Sequence, residues 1–147
     1  DLDRQPIYPA CFRLPNLLSI LASEKNDGPL NLFRQVVTNY GARGIFAASP
    51  GSRILTTYPT FARSFDSDYA RSSDTSIATA VASGVAALVN AANPCLGAAE
   101  IISVLKATAD PVPSLAGYCA WGARLNAGKA VRRAREMAER DTTTELF

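Results

Sequence analysis

The chain contains no histidine. Imidazole has the side-chain pKa best suited to proton shuttling near neutral pH and is a common metal ligand, so a histidine-dependent centre built by these 147 residues alone is excluded. Cysteine is scarce too: Cys11, Cys95 and Cys119 are odd in number, widely spaced and form no CxxC pair. That pattern supports neither a disulfide framework nor a zinc site, and reads as three small half-buried thiols. A surplus of one charge is also missing, since fifteen Lys plus Arg against thirteen Asp plus Glu leave only +2. Without a basic stripe, nucleic acid is not an expected partner. Nine glycines, nine prolines and a hydrophobic share of 48% exclude collagen-like and disordered compositions. The chain is expected to bury a core, as one domain or a large piece of one.

Charge is absent altogether from Thr75 to Ala99, a gap long enough for a membrane span. Its apolar members are mostly alanine, and Thr75, Ser76, Thr79, Ser83, Gly84, Asn90, Asn93 and Pro94 interrupt it. No membrane span is expected; the segment reads as a helix buried on all sides. The first residue is Asp1, and no basic region followed by an apolar stretch opens the chain, so no signal peptide is expected. The chain is expected to begin inside a longer gene product or after processing.

Residues 1–16 read as irregular, because Pro6, Pro9 and Pro15 each remove a backbone donor. The run Leu17–Ala22 predicts a buried strand, closed by the turn signal Asn26-Asp27-Gly28-Pro29. Ile45–Ala48 and Ile54–Tyr58 predict two more extended segments. Near-continuous apolar strands predict a sheet covered on both faces by helices. Residues 60–74, with Arg63, Asp66, Asp68, Arg71 and Asp74, read as an exposed loop. Its acids read as solvated charges with no calcium-ligand pattern.

Beyond that loop Ile77, Val81, Val85, Leu88 and Val89 recur at helical spacing and predict a central helix. Asn93-Pro94 separates it from an amphipathic helix bearing Ala98, Ile101, Ile102, Leu105 and Ala109. The connection 110–122 is expected to be pinned by Tyr118 and Trp121. Asn126 is placed to cap a last helix with an Ala127, Ala130, Val131, Ala134, Met137 and Ala138 stripe. Arg132, Arg133, Arg135 and Arg140 lie beside or across from it, as a solvated face or a dock for an acidic partner, and residues 141–147 are expected to fray.

Ser76 stands where the polar loop meets the central helix, so on position alone it is a helix cap. At such a point free N–H groups and the positive end of the helix dipole can also stabilise an oxyanion. The stretch Asp74-Thr75-Ser76-Ile77-Ala78-Thr79-Ala80-Val81-Ala82-Ser83-Gly84-Val85-Ala86-Ala87-Leu88 resembles the nucleophile motif of the subtilisin-like serine proteases, G-T-S-M-A-[ST]-P-H-V-A-G-x-A-A-L. In the matching order come Tyr8-Pro9-Ala10, the strand Leu17–Ala22, Asn39-Tyr40-Gly41, Ala47–Gly51 with Ile54–Pro59, and later Gly122–Val131, similar to G-x-G-R-[LV]-N-A-x-x-A-V. The resemblance implies an α/β fold: the C-terminal half of a subtilisin-like parallel-sheet layer with a buried central helix. Residues 1–131 would form a partial peptidase domain, and 132–147 a C-terminal helical extension and tail.

By the same resemblance Ser76 would be the acylating nucleophile, and its own backbone N–H one oxyanion donor. The family's catalytic Asp and His, and the Asn supplying the other oxyanion donor, would lie upstream of Asp1. No cofactor and no metal are implied. Lys25, Lys106 and Lys129 are the only candidates for a Ser–Lys dyad, and in the family layout none falls beside the serine. Asp74 departs from the family's Gly and sets a negative charge beside a centre where negative charge must develop. Ala80-Val81 replaces Pro-His. Two functions stay open: a degenerate, non-catalytic domain acting as a structural or interaction subunit, and a nucleophile-bearing fragment of a serine endopeptidase completed by an upstream chain. Both leave apolar surface and a sheet edge bare, so both require a protein partner and predict no persistent free monomer.

Overall fold

Two tetrapeptides dense in small and apolar side chains, Ile20–Ser23 and Ala47–Pro50, pair in parallel and form the spine of the fold. The computed structural model describes residues 1–32, 35–36, 38–58 and 68–144. Along these the elements are β1 (Ile20–Ser23), β2 (Asn31–Leu32), β3 (Gln35–Val36), β4 (Ala47–Pro50), β5 (Ile54–Thr57), β6 (Tyr69–Ser72), α1 (Thr75–Ala92), α2 (Ala98–Thr108), β7 (Asp110–Pro111), β8 (Ala123–Arg124) and α3 (Ala127–Thr144). The main sheet has the order β1-β4-β8-β7, parallel except for the antiparallel edge strand β7. β2 pairs with β3, and β5 with β6, as two-stranded antiparallel ribbons.

Side chains alternate across a strand, so β1 and β4 serve two cores at once. Ile20, Ala22 and Ala47 face the helices and join Val85, Val89, Val104, Leu105, Ala130 and Ala134. Leu21 and Ala48 face the other way, toward Leu2, Ile45, Leu115 and Cys119. Helices were expected on both faces; the second face is instead covered by the irregular N-terminal segment and the 112–121 connection. Each cover is tied down by hydrogen bonds, and the connection adds one short 3-10 turn at Pro113–Leu115: Leu2 N–H donates to Tyr40 O at 2.8 Å, Ala120 N–H to Ile45 O at 2.8 Å and Trp121 N–H to Phe46 O at 2.9 Å. Tyr118 and Trp121 pin the connection as expected, against Tyr40 (5.3 Å between ring centres) and Phe46 (6.2 Å).

α1 is the central helix, in contact with β1, β4, α2 and α3. Its burial is one-sided in this chain. Ala78, Ala82, Val85 and Val89 form the buried stripe, whereas Leu88, expected inside, is 54% exposed. The helix is long and apolar enough to cross a membrane by length and composition, and here it packs as a core helix on the sheet. The expected loop 60–74 is corrected in part, since β6 forms at Tyr69–Ser72 by pairing with β5; Arg63 and Asp66 lie outside the described residues. The three cysteines are free, and they differ: Cys119 is buried, Cys11 half-buried and Cys95 exposed. Burial pushes the Cys119 thiol above its ordinary value. Asn126 Oδ1 accepts from Lys129 N–H at 2.9 Å and caps α3, which runs unbroken from Ala127 to Thr144.

β7, β8 and α3 are tied together by Asp110. Its carboxylate accepts from Lys129 Nζ at 2.6 Å, Asn126 Nδ2 at 2.9 Å and Arg124 at 3.3 Å. The Lys129 ammonium, then the Asn126 amide, hold it down to about 2 from an ordinary 3.8. A depressed acid stabilises the fold above its unfolded pKa, and that contribution drains as pH falls from about 3.8 through about 2. Asp110→Asn is expected to lower stability at pH 7 by on the order of 1 kcal/mol, screening included, and to flatten the dependence of Tm on pH between about 4 and 2. Thermal melts of both proteins across that window test it; parallel curves would remove Asp110 as the acid-sensitive group.

Candidate functional site

The site is built at the carboxyl end of β4. The chain leaves that strand through Gly51, whose N–H donates to Ser23 O at 3.0 Å and whose carbonyl accepts from Asp74 N–H at 2.9 Å. One residue therefore docks the start of α1 onto the ends of β1 and β4. No side chain is tolerated there: a Cβ on Gly51 would stand 2.7 Å from Ala22 Cβ, 2.8 Å from Asp74 O and 3.0 Å from Ala78 Cβ. The β5–β6 ribbon leaves from this junction and returns to it, with Arg53 N–H donating to Ser73 Oγ at 2.8 Å.

Asp74, in an extended conformation, is the N-cap of α1, and its carbonyl accepts the Ala78 N–H at 3.2 Å. Ser76 was expected at the cap; it lies one position further in, as the second helical residue, because a carboxylate two residues earlier reaches the free N–H groups first. Asp74 Oδ1 accepts from Ser76 N–H at 3.4 Å and from the Thr75 hydroxyl at 3.2 Å. The peptide N–H that the resemblance makes an oxyanion donor is thus already facing a carboxylate oxygen. Ser76 itself is exposed, on the side of α1 away from Ala78 and Ala82. Ala80 is exposed and Val81 half-buried.

A groove of about 310 Å³ passes alongside, walled by Thr75 and Thr79 of α1 and by Leu18 and Ile20 at the start of β1. Of the lysines, Lys129 is committed to Asp110 and Lys106 sits exposed in the last turn of α2. Among the described residues no group of three or more His, Cys, Asp or Glu could hold a metal ion. The geometry places Ser76 at a helix N-terminus, next in sequence to the Thr75 that walls the groove, and it adds a carboxylate where negative charge is least welcome. Sequence reasoning flagged that charge but missed its hold on the Ser76 N–H. The signal was available, since Asp two residues before a helical serine is a strong capping residue.

A serine on the first turn of a helix that starts at the carboxyl ends of a parallel sheet is the arrangement of a subtilisin-like α/β peptidase domain. Residues 8–139 match the Subtilase family, and the chain belongs to it. It is 35% identical over 127 residues to thermitase of Thermoactinomyces vulgaris, covering 86% of this chain and 39% of thermitase. It is 29% identical over 135 residues to subtilisin-like protease 3 of Plasmodium falciparum, covering 90% of this chain and 16% of that protein. Among solved structures, one describing the assembly of the subtilase cytotoxin SubAB superposes with a TM-score of 0.73 at 28% identity, covering 90% of this chain and 43% of that one. The A-subunit of the AB5 toxin from E. coli gives 0.72 at 28%, covering 89% and 44%. The chain spans less than half the length of each.

Proposed function

We propose that this chain is a degenerate subtilisin-like domain whose serine does not perform acyl transfer, and that it acts as a structural or interaction subunit of a larger assembly. The observation that carries the reading is the Asp74 carboxylate on the Ser76 N–H. A tetrahedral intermediate needs that donor free and a positive potential around it. Two like charges about 4 Å apart repel by about 1 kcal/mol in bulk water and about 4 kcal/mol at an effective dielectric of about 20, so an exposed carboxylate there slows the step by roughly ten- to a thousandfold. The chain also brings no histidine to take the serine proton. The bare side of α1, with Leu88 exposed, supports a protein partner as cover.

The second reading, a nucleophile-bearing fragment completed by another chain, is favoured by one feature: Ser76 remains at the helix start and open to solvent. Labelling of native, co-purified material with a fluorophosphonate serine probe separates the two. The expected result is no adduct on the Ser76 peptide by mass spectrometry, while an active subtilisin-like control is labelled in parallel. An adduct on Ser76 that disappears in Ser76→Ala would overturn the non-catalytic reading and establish the complemented peptidase.

A further inference from the structure

A second concave site lies beyond the carboxyl ends of β1 and β4, between the turn after β1 and the β5–β6 ribbon. It is a cleft of about 580 Å³, within the range of ligand pockets, and its charged walls carry Lys25, Arg53, Arg71, Arg124, Glu24 and Asp27. Most of those charges are already used. Arg124 is ion-paired with Asp27 and reaches Asp110; Glu24 Oε1 accepts from Asn31 N–H at 2.8 Å; Arg71 donates to Arg53 O at 3.0 Å. The Lys25 ammonium and the Arg53 guanidinium have no ion-pair or hydrogen-bond partner among the described residues. The wall therefore offers two uncommitted cations, beside an Asp27 already paired with Arg124 and a Glu24 that holds one backbone N–H.

The backbone adds an independent observation. Asp27 (φ 65°) and Arg53 (φ 52°) are the non-glycine residues in the left-handed region among the described residues, and both line this cleft. An arginine held there carries strain on the order of 1 kcal/mol that glycine would avoid. The fold clamps it from both sides: Ser73 Oγ takes its N–H and Arg71 takes its carbonyl. Asp27 is clamped likewise, its N–H donating to Glu24 O at 3.1 Å and its carbonyl accepting from Ser114 Oγ at 3.0 Å. Strain maintained on both rims of one cleft fixes where the Arg53 and Asp27 side chains leave the backbone, facing the same space.

We propose that this cleft binds a carboxylate-bearing peptide segment of a partner protein, with Lys25 and Arg53 holding the carboxylate. A planar guanidinium matches a carboxylate with two parallel hydrogen bonds, and the ammonium adds a point charge. Peptide chemistry answers the rest of the wall: Pro50 and Ile54 offer apolar contact, Glu24 keeps a second oxygen for a peptide N–H, and the buried Ser23 hydroxyl has no hydrogen-bond partner among the described residues. A polyanion is disfavoured because Glu24 and Asp27 stand on the same wall. The biological use of the cleft rests on the reading of the chain as an interaction subunit; its chemistry does not depend on Ser76.

The test is fluorescence anisotropy with the full chain and a rhodamine-labelled peptide, acetyl-Ala-Leu-Glu-Glu-Leu-amide, against its Gln-Gln counterpart. The acidic peptide is expected to bind at least about tenfold more tightly. Arg53→Gly, which removes the cation while relieving the backbone, and Lys25→Gln are each expected to weaken binding at least about fivefold. Arg53→Gly is expected to leave the melting temperature undiminished; if it lowers it, Lys25→Gln alone decides. Absence of binding, equal binding of the neutral peptide, or variants that bind like the parent would overturn the proposal. So would tighter binding of short-chain polyphosphate through the same two residues. Loss of the peptide site leaves the reading of Ser76 standing, and a Ser76 adduct leaves the cleft standing, so the two claims fail separately.

Discussion

Gly51→Ala is expected to lower stability by about 3 kcal/mol and the melting temperature by about 10 °C. The added Cβ meets three atoms at 3.0 Å or less, and none belongs to a flexible side chain: Ala22 and Ala78 end at their Cβ atoms, and Asp74 O is backbone. Relief requires α1 to lift off the sheet, because Asp74 O also accepts the Ala78 N–H that begins the helix. The damage should extend to the Asp74 cap and hence to the setting of Ser76. Gly84→Ala is the matched control. A Cβ there meets nothing within 4 Å, in a helix interior where alanine is favoured over glycine by about 1 kcal/mol, so stability should rise. Thermal denaturation followed by circular dichroism reads both; a Gly51→Ala protein as stable as the parent would mean that the β4–α1 approach is looser than the structure has it.

The helices and the main strands were legible because their signals are local. Spacing gave α1 and α2, Asn126 gave the start of α3, and unbroken apolar runs gave β1 and β4. What failed were inferences about cover. An all-apolar strand says that both of its faces are buried, yet not by what; here the second face is closed by residues 112–121, which carry only one short 3-10 turn at Pro113–Leu115 and are tied to Ile45 and Phe46 just ahead of β4. Leu88 failed for a related reason. Periodicity places it with Val85 and Val89, and only the tertiary arrangement decides that this edge of the stripe stays open. At the site, residue types pointed to Ser76 and to the charge on Asp74, whereas the reach of one carboxylate to one N–H depends on cap geometry. The Asp27–Arg124–Asp110 chain joins residues 97 and 14 positions apart, and no local pattern announces it.

The cover on that second face supplies the other large effect. Leu21 is fully buried between Ile45, Leu115 and Cys119, and Leu21→Ala is expected to cost about 3 kcal/mol, since deletion of a packed leucine leaves a cavity that its neighbours fill only in part. The loss should be uneven. α1 packs on the opposite face of β1 and β4, beside Ile20 and Ala22, and α2 and α3 pack on α1, so the helices keep their contacts, while the 112–121 connection loses the side chain on which Leu115 and Cys119 rest. Its ties to the residues ahead of β4, Ala120 N–H to Ile45 O and Trp121 N–H to Phe46 O, should exchange hydrogen faster than those of α1, and chymotrypsin should gain access at Tyr118 and Trp121. Leu55→Ala, at a side chain 60% exposed on the β5–β6 ribbon, should change stability by less than about 0.5 kcal/mol. If Leu21→Ala instead sped exchange equally in α1 and in the connection, the two faces would be one cooperative unit, and the sheet would transmit what its loop cover loses to the helix that carries Ser76.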